Sequence, residues 1–441
     1  MKYINLNDVK IDGERENFMT SIITFLIVFS LLVTIHEFGH FYFARKAGIL
    51  VREFAIGMGP KLFSREGKDG VLYTLRMLPL GGYVRLAGLG EEADSVQPGM
   101  QVGLVFNEQG EVIRINTSKK PLENELPVQL DSADLSDKMI LTALPIGQDE
   151  LVTYSVQRQA RVIESDGASI QVAPLDVTYG AAGPWAKFMT NVAGPINNFI
   201  LSVIIFTVVA FMTPMGIPSH ANQLGNILPD GAAAVAGLQA GDIVETIGNQ
   251  QVTSWENMVE KIVASPNQTV TFKIKRGSET LELPVEIKAV EDGRGGQRGQ
   301  IGVLPSYSTN FIDRIMYGFT ETWATIVGVV SAILSIFKTG FNLNNFGGPV
   351  AVAQATGQVA KSGFISILYF MGLLSANLGA FNLLPIPALD GGKLVLNVIE
   401  ALRGKPLSQE KEGIITIVGA ALLFAFMLAV TWNDIARLFI K

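Results

Sequence analysis

Four runs of this chain, at about 18–43, 188–213, 364–390 and 414–432, stay apolar long enough to cross a bilayer. A helical span needs ~20 such residues. The rest of the composition agrees: 48% of residues are hydrophobic and 17% charged, against ~25% charged in ordinary soluble proteins. The fold class to expect is a polytopic α-helical membrane protein with about four transmembrane helices. The first run is not a signal peptide, since Asp12, Glu14 and Glu16 flank it and no small-residue cleavage site follows. A fifth run, 323–337, has only 15 uncharged residues. That length favours interfacial or re-entrant helices over 310–360.

Lys and Arg near the span ends set the orientation. Arg45, Lys46 and Arg52 follow the first span, Lys187 precedes the second, and Arg403, Lys405 and Lys411 lie between the third and fourth. No Lys or Arg occurs from Phe188 to Glu260. The pattern places 45–187 in the cytoplasm, with the N-terminus and the region between the second and third spans outside.

Between the spans lie soluble pieces. Residues 50–90 contain glycine-broken β-like runs and read as a membrane-associated β region. Residues 91–180 read as an acidic, β-rich cytoplasmic domain: 91–150 carries 12 acidic and 4 basic side chains, and 151–179 alternates polar and apolar residues. Over 220–305, Pro229-Asp230-Gly231-Ala232-Ala233, Ala236-Gly237-Leu238, Gly241-Asp242, a helix-like run to Val263 and a strand-like run ending at Arg276-Gly277 resemble a bacterial PDZ domain. Such domains accept an extended peptide as an added strand.

His36-Glu37-Phe38-Gly39-His40 is an H-E-x-x-H motif inside the first span. Residues four apart share a helix face, so both imidazoles can reach one metal ion, and Glu37 can act on the attacking water. Ionisable groups within an apolar helix are expensive unless they face the protein interior and serve a function. A catalytic zinc takes three protein ligands and keeps one position open. The chain has no cysteine, and its only other histidine, His220, lies in a polar loop. The third ligand should therefore be an acid. Asp390 is the one acid near the end of the third span, in Asn382-Leu383-Leu384-Pro385-Ile386-Pro387-Ala388-Leu389-Asp390-Gly391-Gly392. The expected cofactor is one Zn2+ per chain. A net charge of −6 argues against nucleic acid as a partner.

H-E-x-x-H in the first span with N-x-x-P-x-P-x-L-D-G in a late one resembles the site-2 protease family of intramembrane zinc metalloproteases, in its bacterial RseP/Eep type. Gly194-Pro195-Ile196-Asn197-Asn198, the 81–88 stretch GGYVRLAG, and Phe346-Gly347-Gly348-Pro349-Val350 add to the likeness; the 91–180 region carries no such motif. The resemblance implies a multi-pass protein of a bacterial cell membrane that performs regulated intramembrane proteolysis. Its partners would be the lipid bilayer, single-span membrane substrates (anti-sigma factors, remnant signal peptides or pheromone precursors) and an upstream trimming protease. A helical substrate must unwind before water can attack, and 81–88, with Gly82, Tyr83, Val84 and Arg85, could receive the unwound strand. Asn198 and Asn382, amides at membrane depth, could orient substrate or polarise its carbonyl, or simply bond between helices.

Two rival readings remain: a membrane metal transporter that uses the same residues as a transit site, and an inert PDZ scaffold. The first lacks further polar ligands along a path, and the second leaves both motifs without a role. The site also constrains topology. If the third span is to bring Asp390 to the histidines, it must run in the same direction as the first. The chain between the second and third spans must then cross an even number of times, so 323–337 cannot be a lone span.

Overall fold

The computed structural model describes residues 6–88, 96–165, 167–291, 296–405 and 407–439. The junction of the two sequence-assigned β regions at 89–95 and residues 292–295 of the PDZ-like region lie outside the described residues. The chain divides into two compact units, one formed by 1–203 with 322–441 and the other by 204–321.

In the first unit, helix α1 (Leu6–Lys46) carries the H-E-x-x-H motif. Arg45 and Lys46 occupy its last turn, where cations complement the helix dipole. Gly48, at φ +77°, then turns the chain into β1 (Val51–Glu66) and β2 (Leu72–Leu86). These two long, irregular strands fold over one another: Ala55 of β1 faces both Tyr83 and Thr74 of β2. The 53–56 segment thus lies between 82–85 and 72–75. Ser30 of α1 donates to Pro79 O, so β2 runs beside the helix. Met58, Leu62, Phe63 and Leu78 leave the hairpin's outer part apolar and exposed.

Six strands follow: β3 (Gln101–Phe106), β4 (Val112–Asn116), β5 (Leu126–Asp134), β6 (Ile140–Pro145), β7 (Val152–Ile163) and β8 (Ser169–Gln171). They are ordered β4-β3-β5-β6-β7-β8, and β4 also pairs in parallel with β7. That last pairing closes β3–β7 into a small barrel in which every strand has two neighbours. Leu104, Val112, Ile115, Val128, Leu141 and Ala143 fill it, all fully buried.

Helix α2 (Pro184–Met212) begins at a proline and carries Pro195 inside. Its last turns belong to the second unit. There β9 (Ile217–Pro218) pairs antiparallel with β17 (Tyr307–Ser308), and Ser219 N–H donates to Ser306 O. The stretch enclosed by this pair contains β10 (Leu224–Ile227), the short α3 (Ala232–Val235), β11 (Ile243–Ile247), β12 (Gln250–Gln251), α4 (Trp255–Val263), β13 (Gln268–Arg276), β14 (Glu279–Glu291), β15 (Gln297–Gln300) and β16 (Val303–Pro305). Five strands form one sheet in the order β12-β11-β13-β14-β15, and β10 pairs with β16. Ser254 caps α4 by accepting from Asn257 N.

Helix α5 (Phe311–Thr339) departs from the sequence expectation. The 15-residue run at 323–337 is part of a 29-residue helix, and among the described residues five helices rather than four are long and apolar enough to cross a membrane. Asp313, Arg314 and Glu321 interrupt the apolar pattern without ending the helix. Arg314 donates to Phe211 O and Thr213 O, the unsatisfied carbonyls at the end of α2.

The remaining helices are α6 (Pro349–Lys361), α7 (Phe364–Asn382), α8 (Asp390–Arg403) and α9 (Gln409–Phe439). The Asp434 carboxylate of α9 caps α6, accepting from Gly348 N and Ala351 N. Gly357 of α6 lies against Ser21 of α1. The 364–390 run is helical only to Asn382, because two prolines and a left-handed Ala388 (φ +79°) break it before Asp390.

Candidate metal centre

Three side chains from two separate stretches converge. His36 and His40 sit one turn apart on α1, and Asp390 opens α8. Asp390 Oδ2 lies 3.0 Å from His36 Nε2 and 3.3 Å from His40 Nε2. The two Nε2 atoms are 3.2 Å apart. This is the one cluster of possible metal ligands of its kind among the described residues. Asp390 Oδ2 is buried without a hydrogen-bond partner. A buried carboxylate oxygen is costly unless a cation or donor meets it, and two imidazoles plus a carboxylate form a zinc donor set with a position to spare. The residues therefore fit the metal that the motif implies.

The surrounding groups fix which ring nitrogens face inward. His40 Nδ1 lies 2.7 Å from Thr190 O on α2, so Nδ1–H donates there and Nε2 keeps its lone pair. The fully buried Asn198 amide lies 3.0 Å from His36 Nδ1, and its Oδ1 has no partner. Turning the amide over satisfies both groups: Oδ1 accepts Nδ1–H, and His36 Nε2 is free to ligate. Asn197 Nδ2 donates to Ile35 O and ties the helices one residue before the first ligand.

Glycines make the approach possible. A Cβ at Gly194 would overlap the imidazoles of both His40 and His36, and one at Gly39 would overlap the Ala193 carbonyl. At the other partner, a Cβ at Gly391 or Gly392 would meet the carbonyls of Leu383, Leu384 and Ile386, so the turn that delivers Asp390 closes only with glycine. Thr190, Gly39 and Ala193 were not singled out in the sequence. They act through backbone, which leaves no side-chain signature. Gly194 and Pro195 lie in a quoted motif, whose role is now physical.

The expected substrate-side residues divide. A Cβ at Gly82 would lie 3.6 Å from Glu37 Cγ, so the 82–86 segment passes directly beside Glu37. On one side Gly82–Val84 pairs with β1, and among the described residues no second strand pairs with it. Tyr83 points elsewhere, into a cluster with Glu53 and Arg76. Val84 packs against the small core around Phe41 and Phe54. Arg85 lies 3.6 Å from Glu164. Asn382 donates to Leu378 O of its own helix and does not join the ligand cluster.

Helices of membrane-spanning length that hold a two-histidine, one-carboxylate site with an adjacent glutamate define a membrane metalloprotease. The model of Peptidase family M50 matches residues 24–426, and the chain belongs to that family. A protein of Enterococcus faecalis named "Probable protease eep" is 45% identical over 425 residues, 96% of this chain and 100% of its own. A "Putative zinc metalloprotease" of Streptococcus pyogenes serotype M1 is 45% identical over 429 residues, again 96% and 100%. Among solved structures, the PDZ domain of an SdrC-like protein from Listeria innocua covers 21% of this chain and 97% of its own, at 22% identity and TM-score 0.17.

Proposed function

We propose that this protein hydrolyses peptide bonds of single-span membrane substrates within the bilayer, using one zinc held by His36, His40 and Asp390. The observation that carries the reading is the position of Glu37, beside the ligand cluster on one side and the 82–86 strand on the other. Zinc bound there would supply a Lewis acid and lower the pKa of water. Glu37 takes the proton from the attacking water and returns it to the leaving amine. Thr190 O and Asn198 hold the imidazoles in the ligating tautomer. The 82–84 edge receives an unwound substrate segment by strand addition, which presents its carbonyls next to Glu37. Gly82 lets that backbone come close.

The resemblance to site-2 proteases supports remnant signal peptides, pheromone precursors or anti-sigma factors, each first trimmed by another protease, as the substrate classes. The PDZ-like module filters access and takes no part in the chemistry. The test is Glu37→Gln in the purified protein with a single-span reporter. Zinc should stay bound while cleavage falls by about a thousandfold or more. Cleavage that persists at the wild-type rate would sink the protease reading.

For orientation, we infer that the N-terminus and the PDZ-like module lie outside and 45–187 inside. Support comes from the first unit. α5 meets α2 at Thr322–Ser202, about one turn beyond Asn198. Asn344 then bonds Asn433 and Arg437 at the far end of α9 from Gly419, which touches Pro387 near the ligands. The chain after Thr322 thus moves away from the metal level before α7 starts, in keeping with an even number of crossings. Single cysteines at Asn310 and Ser362, both exposed, should react with an impermeant reagent from outside. Reaction at only one of them would overturn the even count.

A further inference from the structure

Glu53 has no role in the chemistry above, yet it is one of the few buried acids among the described residues, 5% exposed, between half-buried Arg52 and buried Phe54. It lies on the central 53–56 segment of the hairpin. Its Oε1 accepts from Thr74 Oγ1 at 2.6 Å and from Arg76 at 2.7 Å, both on the strand to one side. Its Oε2 accepts from Tyr83 Oη at 2.9 Å, on the 82–86 edge to the other side. Arg76 completes the ring: it donates to Tyr83 Oη, stacks over the Tyr83 ring and also donates to Gly59 O. One carboxylate therefore joins three strand segments by side chains, in a sheet whose backbone register shifts just beyond them, between Ile56 and Phe63.

Register in a strand pair is ordinarily held by a regular ladder and a one-sided apolar pattern. Here the ladder holds over 53–56 but shifts between Ile56 and Phe63, where the outer apolar residues are exposed. Through Arg76, which bonds both Glu53 and Gly59 O, the side-chain ring ties the regular segment to the stretch where the ladder shifts. Its contact on the edge strand, Tyr83, is the residue next to Gly82, which abuts Glu37. Burial raises the Glu53 pKa, but the hydrogen bonds from Thr74, Arg76 and Tyr83 outweigh it, so the carboxyl titrates below its ordinary range and stays charged. Burial, then the neighbouring Glu53 charge, pushes Tyr83 up to about 12, so it stays a donor. Both ends of the bond keep the protonation state it needs.

We propose that Glu53, Thr74, Arg76 and Tyr83 form a register lock that sets which peptide bond of an edge-paired substrate lies opposite Glu37. They are positioning residues, and the inference rests on the proteolytic reading given above. A lock of this kind governs cleavage position and apparent affinity while leaving the metal and the proton acceptor untouched.

The test uses the full-length protein in proteoliposomes with a single-span reporter whose products are mapped by mass spectrometry. Tyr83→Phe and Thr74→Val remove one hydroxyl each with little change of shape; Glu53→Gln removes the hub's charge. In Tyr83→Phe, KM should rise roughly fivefold with kcat and zinc content held, from loss of one bond to a charged group. A second cleavage site should appear one or two residues from the first. Amide exchange over 82–86 should quicken by about tenfold, with the barrel unchanged. A single unshifted cleavage site with unchanged KM in both hydroxyl variants would overturn the lock. Unchanged exchange over 82–86 would overturn it even if no substrate were cleaved by the wild type, an outcome that by itself would strike the proteolytic reading instead.

Discussion

In the 224–305 module, Leu224, Val244, Met258, Phe272, Ile274 and Val285 are each at most 1% exposed, a continuous apolar core of the kind that stabilises any water-soluble domain. Around the metal cluster the fully buried side chains include the polar Asn198, Ser202 and Ser375, beside Leu32 and the small Ala193 and Ala376. Ser375 donates to Asn198 O and Ser202 to Gly372 O, both between helices. Other large apolar residues of this unit turn outward, as Ile417 and Leu422 do on α9. In lipid, an apolar side chain gains little by moving inward, so helices associate through small residues and interhelical hydrogen bonds. The module tolerates changes of shape by repacking. The helical core depends on individual close approaches that no repacking replaces.

Substitutions can break or sharpen this contrast. The largest effect belongs to Asp390→Ala, which should lower zinc affinity by more than about a hundredfold and abolish cleavage. Metal analysis of purified protein checks it, with His220→Ala as the unaffected partner; equal zinc in Asp390→Ala and wild type would remove Asp390 from the ligand set. Next comes Gly194→Ala. One methyl group there meets both imidazoles, and activity should fall at least about tenfold with weakened zinc binding. An unaffected variant would mean that the helices can separate, against the contrast drawn here.

Deleting 220–305 should do much less. β9 and β17 already pair at the module's base, so a short glycine turn can join Ser219 to Ser306. Cleavage should persist within roughly an order of magnitude, with broader substrate choice, because the module brings its own core. Loss of all cleavage with zinc retained would show that the module does more than filter.

The smallest effect is expected at Asp242, buried and bonded to Arg276. Burial pushes its pKa up, but the bonds from Arg276 and Gln239 pull it below the ordinary carboxylate range. A depressed folded pKa gives stability that is complete above the unfolded value, about 4, and is lost as pH falls through the folded one. Asp242→Asn should therefore speed amide exchange in the module at neutral pH. The difference from wild type should shrink as pH falls below about 4, and proteolysis should be unaffected.

The cluster of His36, His40 and Asp390 was legible because its chemistry is rare: two histidines at helical spacing in an apolar run, with a single acid near a proline-broken span end. Hydropathy likewise marked four of the helices. It under-read α5, where Asp313, Arg314 and Glu321 hid a longer helix whose arginine bonds the carbonyls at the end of α2. The directions of Tyr83 and Arg85 were not legible either. Alternation along a strand says which residues share a face but not which partners they meet, and Tyr83 and Arg85 meet Glu53, Arg76 and Glu164 from other parts of the sequence. Barrel closure rests on the parallel β4–β7 pairing, a contact of high sequence separation that local pattern does not reveal.

Under the strand-addition reading proposed above, in which the enzyme is fed with unwound strands, the closed barrel has a consequence. Open sheet edges are templates for any extended chain, and a substrate released from its helix is such a chain. With β3–β7 each flanked on both sides, and only the three-residue β8 left at a margin, that region gives a wandering strand almost nowhere to stick. A decoy edge there would trap substrates and products alike and slow every turnover. Closure makes the barrel a poor competitor for the edge beside Glu37.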